Sequence, residues 1–415
     1  MEKQRNKVYG ADIHKKFLVA TILSRDGCKI KDRFGMNIED LVKFKDWVIR
    51  NGCEEVAVES TGVYWVPIYT ILEDKVEVIV ANAYKIKHTP GRKTDSSDSE
   101  WIAELCLNGM IDPSRIFPKL DRELRSLTRA REGYINNRTQ MKNRIHKELE
   151  SSCIKLSSVL SDVFGKSGRR MLNSLLDGKS VDEILKEIKS RSIRKKEALL
   201  REALSNSLNP TQCILIRTYL DMIDSIRAKI AELDREIMIR ITRRKDDLSI
   251  AMSLPGIGFV SGAAILAEIG NYEDFKTHEQ LAAYCGLTPS VYQSADKLTT
   301  GSITKQGSKH IRRMLIEVAH IIYRTRDSKL KRFFLHLKAK KGSKVAAVAL
   351  ARKMICILHH LLKKREKYDD QGIQRVKPSR IDMTSFPIEM TLEEMIETIV
   401  KAGYSITKIG SGGHG

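Results

Sequence analysis

Four carboxylates in the first quarter of the chain are spaced so that they could share a divalent cation: Asp12 in VYGADIHKK, Glu59 in EEVAVES, and Asp95 and Asp98 in GRKTDSSDSEW. Asp12 lies within an apolar run, where a charge is costly to bury unless it is paired or metal-bound. Glu59 closes a second apolar run that reads as a buried strand, and α/β sheets open into a crevice beyond their strand ends. Asp95 and Asp98, three residues apart at what reads as a helix start, share one helix face. Four converging acids repel and raise one another's pKa values, so the set is tolerable mainly with divalent cations between them. Mg²⁺ suits such an all-oxygen site. Taken singly, each acid also has an ordinary explanation. Asp95 can cap a helix with Asp98 in its first turn, and Asp12 can pair with His14 or Lys15.

The second chemical signal is charge. Among 415 residues there are 73 Lys plus Arg against 52 Asp plus Glu, a formal net charge of +21, which attracts polyanions over long range. Nucleic acid is the expected partner, because phosphate neutralisation dominates such binding. Arg92 and Lys93, just before the Asp95–Asp98 pair, would hold a phosphate. Arg122, Arg125 and Arg129 share one side of a basic helix, followed by Arg138 and Lys142; such a stripe is either a solvated face or a track for a nucleic-acid backbone. The seven cysteines form no CxxC and no paired Cys/His spacing, which argues against zinc and against a disulfide framework and fits a reducing cytoplasm. The start, MEKQRNKVYG, has no apolar core of a signal peptide. The longest apolar stretch, from Val345, is interrupted by Arg352, Lys353 and two histidines, so no membrane segment is expected.

The elements that must carry these residues fall into regions. Lys7 to Asp32 reads as strands separated by turn residues such as SRDG. A helix near Ile38–Asn51, the strand EEVAVES, a helix from Tyr64 to Glu73 and the strand VEVIVAN follow, and this alternation implies an α/β sheet. From about Leu120 long helices take over. Ile216, Tyr219, Ile223, Ile226, Ile230, Leu233, Ile237 and Ile241 recur at threes and fours, as a coiled-coil or bundle seam does. A third region opens at SLPGIG, like the turn of a helix-hairpin-helix element, and continues through a Ser/Thr/Gly/Lys-rich loop into basic helices. The expected division is 1–115, 116–249, 250–368 and a tail at 369–415.

The words GADIHKK, VAVESTGVYW and GRKTDSSDSEWIAELCLNG, followed by LPGIG, YCGLTPSVYQSADK and GSITKQGSKHIRRML, resemble the DEDD transposases of the insertion-sequence 110 family. The resemblance covers roughly residues 7–110 and 250–360. It implies a RuvC-type, RNase H-like α/β N-terminal domain, then long helices or a coiled coil that dimerises or holds RNA, then a mostly α-helical domain carrying a catalytic serine. That serine falls on Ser294, with Ser290 as the alternative; the family's two glycines after it are Ala295 and Asp296 here. Lys297, Lys305, Lys309, Arg312 and Arg313 become the expected phosphate contacts. The implied activity is RNA-guided DNA strand exchange through a phosphoserine link. Mg²⁺, target and donor DNA, a structured guide (bridge) RNA and a homodimer assembling to a tetramer take part, with the serine of one subunit meeting the carboxylates of another. Two other readings stay open: a metal-dependent nuclease for branched, Holliday-type DNA, and a non-enzymatic nucleic-acid-binding protein.

Overall fold

A computed structural model of the chain describes residues 5–52, 55–60, 62–82, 86, 98–188, 190–294, 297–325 and 327–370. Arg92, Lys93 and Asp95, and the tail past 370, lie outside the described residues. The chain divides into two compact units, Met1–Phe117 and Pro118–Gly415.

In the first unit the strands β1 (Lys7–Ile13), β2 (Phe17–Ser24) and β3 (Lys29–Gly35) form an antiparallel meander. The helix α1 (Ile38–Arg50) leads to β4 (Glu55–Glu59), which pairs parallel to β1, and α2 (Trp65–Leu72) leads to β5 (Glu77–Ala81), parallel to β4. The sheet order is β3-β2-β1-β4-β5. A last helix, α3 (Asp98–Leu107), covers the other face. Both faces of β1 are therefore buried, which is why its residues read as almost continuously apolar. Tyr9, Ala11 and Ile13 join Leu41, Phe44 and Val48 of α1 on one side, whereas Val8 joins Ala57 and Ile102, Ala103 and Cys106 of α3 on the other. The Tyr9 hydroxyl donates to the Val48 carbonyl at 2.7 Å and ties α1 to the central strand.

The second unit is built on two long helices, α4 (Lys119–Ser151) and α10 (Pro210–Ile241). They run antiparallel: Ile145 and Leu149 share a core with Ile216 and Leu220, while Leu124 shares one with Ile237 and Ile241. The periodic seam of α10 is thus filled by α4 of the same chain. Between them α5 (Leu156–Val159), α6 (Lys166–Leu176), α7 (Val181–Lys186), α8 (Arg191–Arg194) and α9 (Glu197–Ala203) close the far end around Leu172, Ile184 and Leu200. The near ends of α4 and α10 enter one continuous core with α11 (Lys245–Met252), α12 (Phe259–Ile269), α13 (His278–Tyr284), α14 (Lys309–Ile321) and α15 (Lys329–Lys364), so packing runs straight through the boundary expected near 250.

Two sequence expectations change. The segment after Pro289 is not a loop but a hairpin, β6 (Pro289–Ser294) and β7 (Lys297–Ile303), whose Ser/Thr/Gly composition hides its pairing. By length and composition α15 could cross a membrane, contrary to the expectation from its charges. In the fold, Ala346, Leu350, Met354, Leu358 and Leu362 along it are buried in the core, and Gly342 (φ 80°) breaks the helix.

Candidate active site and nucleic-acid interface

Adjacent parallel strands bring the first two acids to one level. The β1/β4 register pairs Ala11 with Val58, and Asp12 and Glu59 are the next residues on each strand, at the carboxyl edge of the sheet. Side chains alternate across a sheet, so both stand on the face that α3 covers.

Gly10 is what lets α3 reach them. A β-carbon there would lie 2.1 Å from the Ser99 carbonyl oxygen and 2.2 Å from the Ala103 amide nitrogen, so helix backbone rests directly on strand backbone. Glycine inside a strand often marks such an approach. A buried hydrogen bond between Thr21 Oγ1 and Ser99 Oγ, 2.8 Å, fixes the start of the helix on β2. Asp98, the first residue of α3, is exposed beside this anchor.

The electrostatics show that Asp12 senses the other two described acids. Burial pushes the Asp12 carboxyl above its usual value; His14 opposes the shift, while Asp98 and Glu59 add to it. His14 Nε2 stands 3.1 Å from Asp12 Oδ2, the ordinary pairing expected from the sequence. Among the described residues no three His, Cys, Asp or Glu groups are close enough to hold a metal ion; Asp95, the fourth expected acid, lies outside those residues. Half-buried Asp12 and Glu59, with exposed Asp98 at the start of α3, nevertheless offer the oxygen donors that suit a hard cation.

In the second unit Ser294 ends β6 and pairs with Lys297, the first residue of β7, so only residues 295 and 296 connect the strands. Two-residue hairpin connections favour glycine, and here the sequence has Ala295 and Asp296. Ser290, the alternative serine, already donates to the Ser302 carbonyl at 3.0 Å.

The base of the hairpin is held by a network the sequence did not disclose. Glu268 is buried in α12, where its Oε1 accepts from Arg129 Nε at 2.6 Å. Its Oε2 accepts from Arg125 Nε at 3.1 Å, Arg129 Nη2 at 3.0 Å and Ser308 Oγ at 2.6 Å. Burial alone would raise this carboxyl, but Arg129, Arg125 and Ser308 hold it at about 2. Ser308 also caps α14, and Arg312 Nη1 donates to the carbonyls of Cys285 and Lys305 at 3.1 Å each. Gly307 (φ 115°) allows the chain to pass Tyr284, whose carbonyl oxygen would be 2.1 Å from a β-carbon. The one signal that could have found this network is a lone glutamate in the apolar run SGAAILAEIG.

The basic residues therefore divide. Arg125 and Arg129, expected either on a solvated face or along a nucleic-acid backbone, are engaged by Glu268, because a buried carboxylate must be paired. Arg312 braces the hairpin, and Arg313 binds Glu132 at 2.8 Å, Asn136 at 2.9 Å and Glu317 at 2.8 Å. Arg122 is half-buried on α4; Lys305 and Lys309 are exposed.

Two family models match this chain, and both describe transposases: one, "Transposase", over residues 9–154, and the other, "Transposase IS116/IS110/IS902 family", over residues 248–335. Similar proteins include a probable family 20 transposase of Pseudomonas aeruginosa, 31% identical over 37% of this chain and 46% of its own length. The transposase for insertion sequence element IS1111A of Coxiella burnetii is 31% identical over 31% of this chain and 36% of its own length. The pilin gene-inverting protein of Moraxella bovis is 29% identical over 42% and 53%. The chain thus spans about half or less of the length of these curated relatives. It belongs to the insertion-sequence 110 family of transposases.

Proposed function

We propose that the protein cuts and rejoins DNA as the recombinase of an insertion sequence. Its first unit acts as an RNase H-like, RuvC-type domain in which Asp12, Glu59, Asp95 and Asp98 hold Mg²⁺, and Ser294 is the nucleophile. The single observation that supports this reading is that Asp12 and Glu59 stand at one level on the sheet face that α3 covers, with Asp98 and Glu59 both raising the Asp12 pKa. When bound, Mg²⁺ would supply stabilisation of charge on the phosphate oxygens.

The serine oxygen forms a bond to phosphorus as the bond from phosphorus to the 3′ oxygen breaks. The serine proton is lost and the leaving oxygen gains one, which leaves a free 3′-hydroxyl and a phosphoserine link. A 3′-hydroxyl of a second strand then displaces the serine. The number of phosphodiester bonds is unchanged, so no outside energy source is needed. This is why a covalent serine suits recombination better than hydrolysis.

The guide is a structured RNA that pairs with target and donor DNA, while the protein reads backbone and shape. Exposed Lys305 and Lys309, together with Lys297, Arg92, Lys93 and Arg122, contact phosphates. A homodimer pairs into a tetramer in the prokaryotic cytoplasm, since exchange acts on several strand ends at once. The test is strand transfer between labelled donor and target DNA with the element's RNA and Mg²⁺. Joined product that needs the RNA, and that Asp12→Ala abolishes, supports the reading. Cutting without joining, untouched by Ser294→Ala, would make the protein a nuclease.

A further inference from the structure

The α4–α10 pair brings like charges within reach of one another. Arg131 on α4 faces Asp234 on α10, with Nε to Oδ1 at 2.5 Å and Nη2 to Oδ2 at 3.3 Å. The helices are antiparallel, so one heptad forward along α4 and one back along α10 set Arg138 opposite Arg227. At this position the partner is a second arginine instead of a carboxylate.

Arg138 has no hydrogen-bond or ion-pair partner among the described residues. Burial lowers the pKa of its guanidinium, and Arg227 and Arg131 lower it further. One turn on, the Lys142 ammonium sits over the Phe164 ring, 4.9 Å from its centre. Burial depresses it too; Asp162 opposes the shift, and Arg138 and Arg227 add to it. Arg227 holds Asp224 at 3.4 Å and donates to the Phe164 carbonyl at 3.4 Å, but Asp224 is shared with Arg169 at 2.5 Å. Arg169 and Arg227 thus share Asp224, and Asp162 acts on Lys142, while Arg138 has neither.

A half-buried guanidinium, Arg138, with a second and exposed one, Arg227, acting on it costs stability unless an anion is placed between them. Guanidinium forks match phosphate oxygens two at a time, and a diester bridging both would turn the repulsion into attraction. We propose that Arg138 and Arg227, with Lys142 beside them, form a phosphodiester-binding site across the α4–α10 pair, filled by a nucleic-acid backbone. The nature of the ligand rests on the function proposed above; the mismatch of charge does not. The site is separate from Arg125 and Arg129, which Glu268 occupies.

The substitution Arg138→Glu separates the possibilities. A glutamate there faces Arg227 and precedes Lys142 by four residues, both favourable placements. The full chain and the Arg138→Glu variant are titrated with an RNA duplex and with a DNA duplex over a range of salt, and their unfolding midpoints are compared. Lys147→Glu, an exposed change on the same helix with equal effect on net charge, is the control. The expected result is an unfolding midpoint no lower than the parent's, affinity weaker than the control by about tenfold, and a log–log salt slope shallower by about 1. Loss confined to RNA or to DNA supports the site and tells which backbone fills it. Arg138→Glu binding like Lys147→Glu overturns the site and leaves the proposed function standing. Unfolding together with lost binding assigns Arg138 a packing role and also overturns the site. A parent that binds neither duplex removes the nucleic-acid reading and this site with it.

Discussion

The carbonyl oxygen of Ser99 lies 2.1 Å from where a β-carbon on Gly10 would be. Because Gly10 has no side chain, α3 sits on the backbone of β1, and its first residue, Asp98, comes near enough to act on Asp12. The hydrogen bond between the Thr21 and Ser99 hydroxyls then holds the helix start in place. The acidic trio therefore depends on a residue that takes no part in any chemistry.

Gly10→Ala is expected to push α3 off the sheet. Overpacking at a backbone contact costs about 1–3 kcal/mol or more, which urea unfolding would measure as a lower midpoint with an unchanged slope. DNA cleavage should fall further than stability does, because Asp98 moves away from Asp12. A variant with parent-like cleavage would mean that α3 need not touch β1.

Asp12→Asn should raise stability at neutral pH while abolishing activity. The folded-state pKa of Asp12 is raised above 3.8, so its favourable contribution is present below 3.8 and lost as pH rises through the folded value. At neutral pH the ionised group is a liability, shared with Asp98 and Glu59. For the same reason Mg²⁺ should stabilise the parent, by about 2.7 kcal/mol at a hundredfold excess over its Kd, and should stabilise Asp12→Asn far less. Thermal unfolding with and without Mg²⁺ measures both effects.

Glu268→Gln should destabilise the second unit by about 3 kcal/mol at neutral pH, since one partner of a buried pair is removed. The sign with pH is definite. The Glu268 pKa is lowered from 4.5 to about 2, so its contribution is complete above 4.5 and is lost as pH falls toward 2. The gap in stability between parent and variant should narrow over that window. A gap constant with pH would mean that Arg125 and Arg129 do not hold the charged form.

Long-period features were legible in the sequence. The apolar spacing of Ile216 to Ile241 predicts the buried side of α10, and the basic run from Leu120 to Leu149 matches α4. The alternating strands and helices before Asp98 yield the five-stranded sheet. What stayed hidden was pairing across distance. Nothing near Arg125 in the chain shows that Glu268 will claim it, and nothing near Arg138 shows that Arg227 will act on it. The hairpin at Pro289–Ile303 was masked by residues whose composition is that of a loop. Asp12 and Glu59 could be singled out as costly charges, but their common level comes only from the strand register.

The most direct test of the account is whether Ser294 becomes joined to DNA. Protein, Mg²⁺, guide RNA and end-labelled target DNA are mixed, denatured and resolved by size, with Ser294→Ala and Ser290→Ala run alongside. The account predicts a denaturant-resistant protein–DNA adduct that forms in the parent and in Ser290→Ala and is absent from Ser294→Ala. Cleaved and rejoined DNA from Ser294→Ala, with no adduct from any protein, would contradict it.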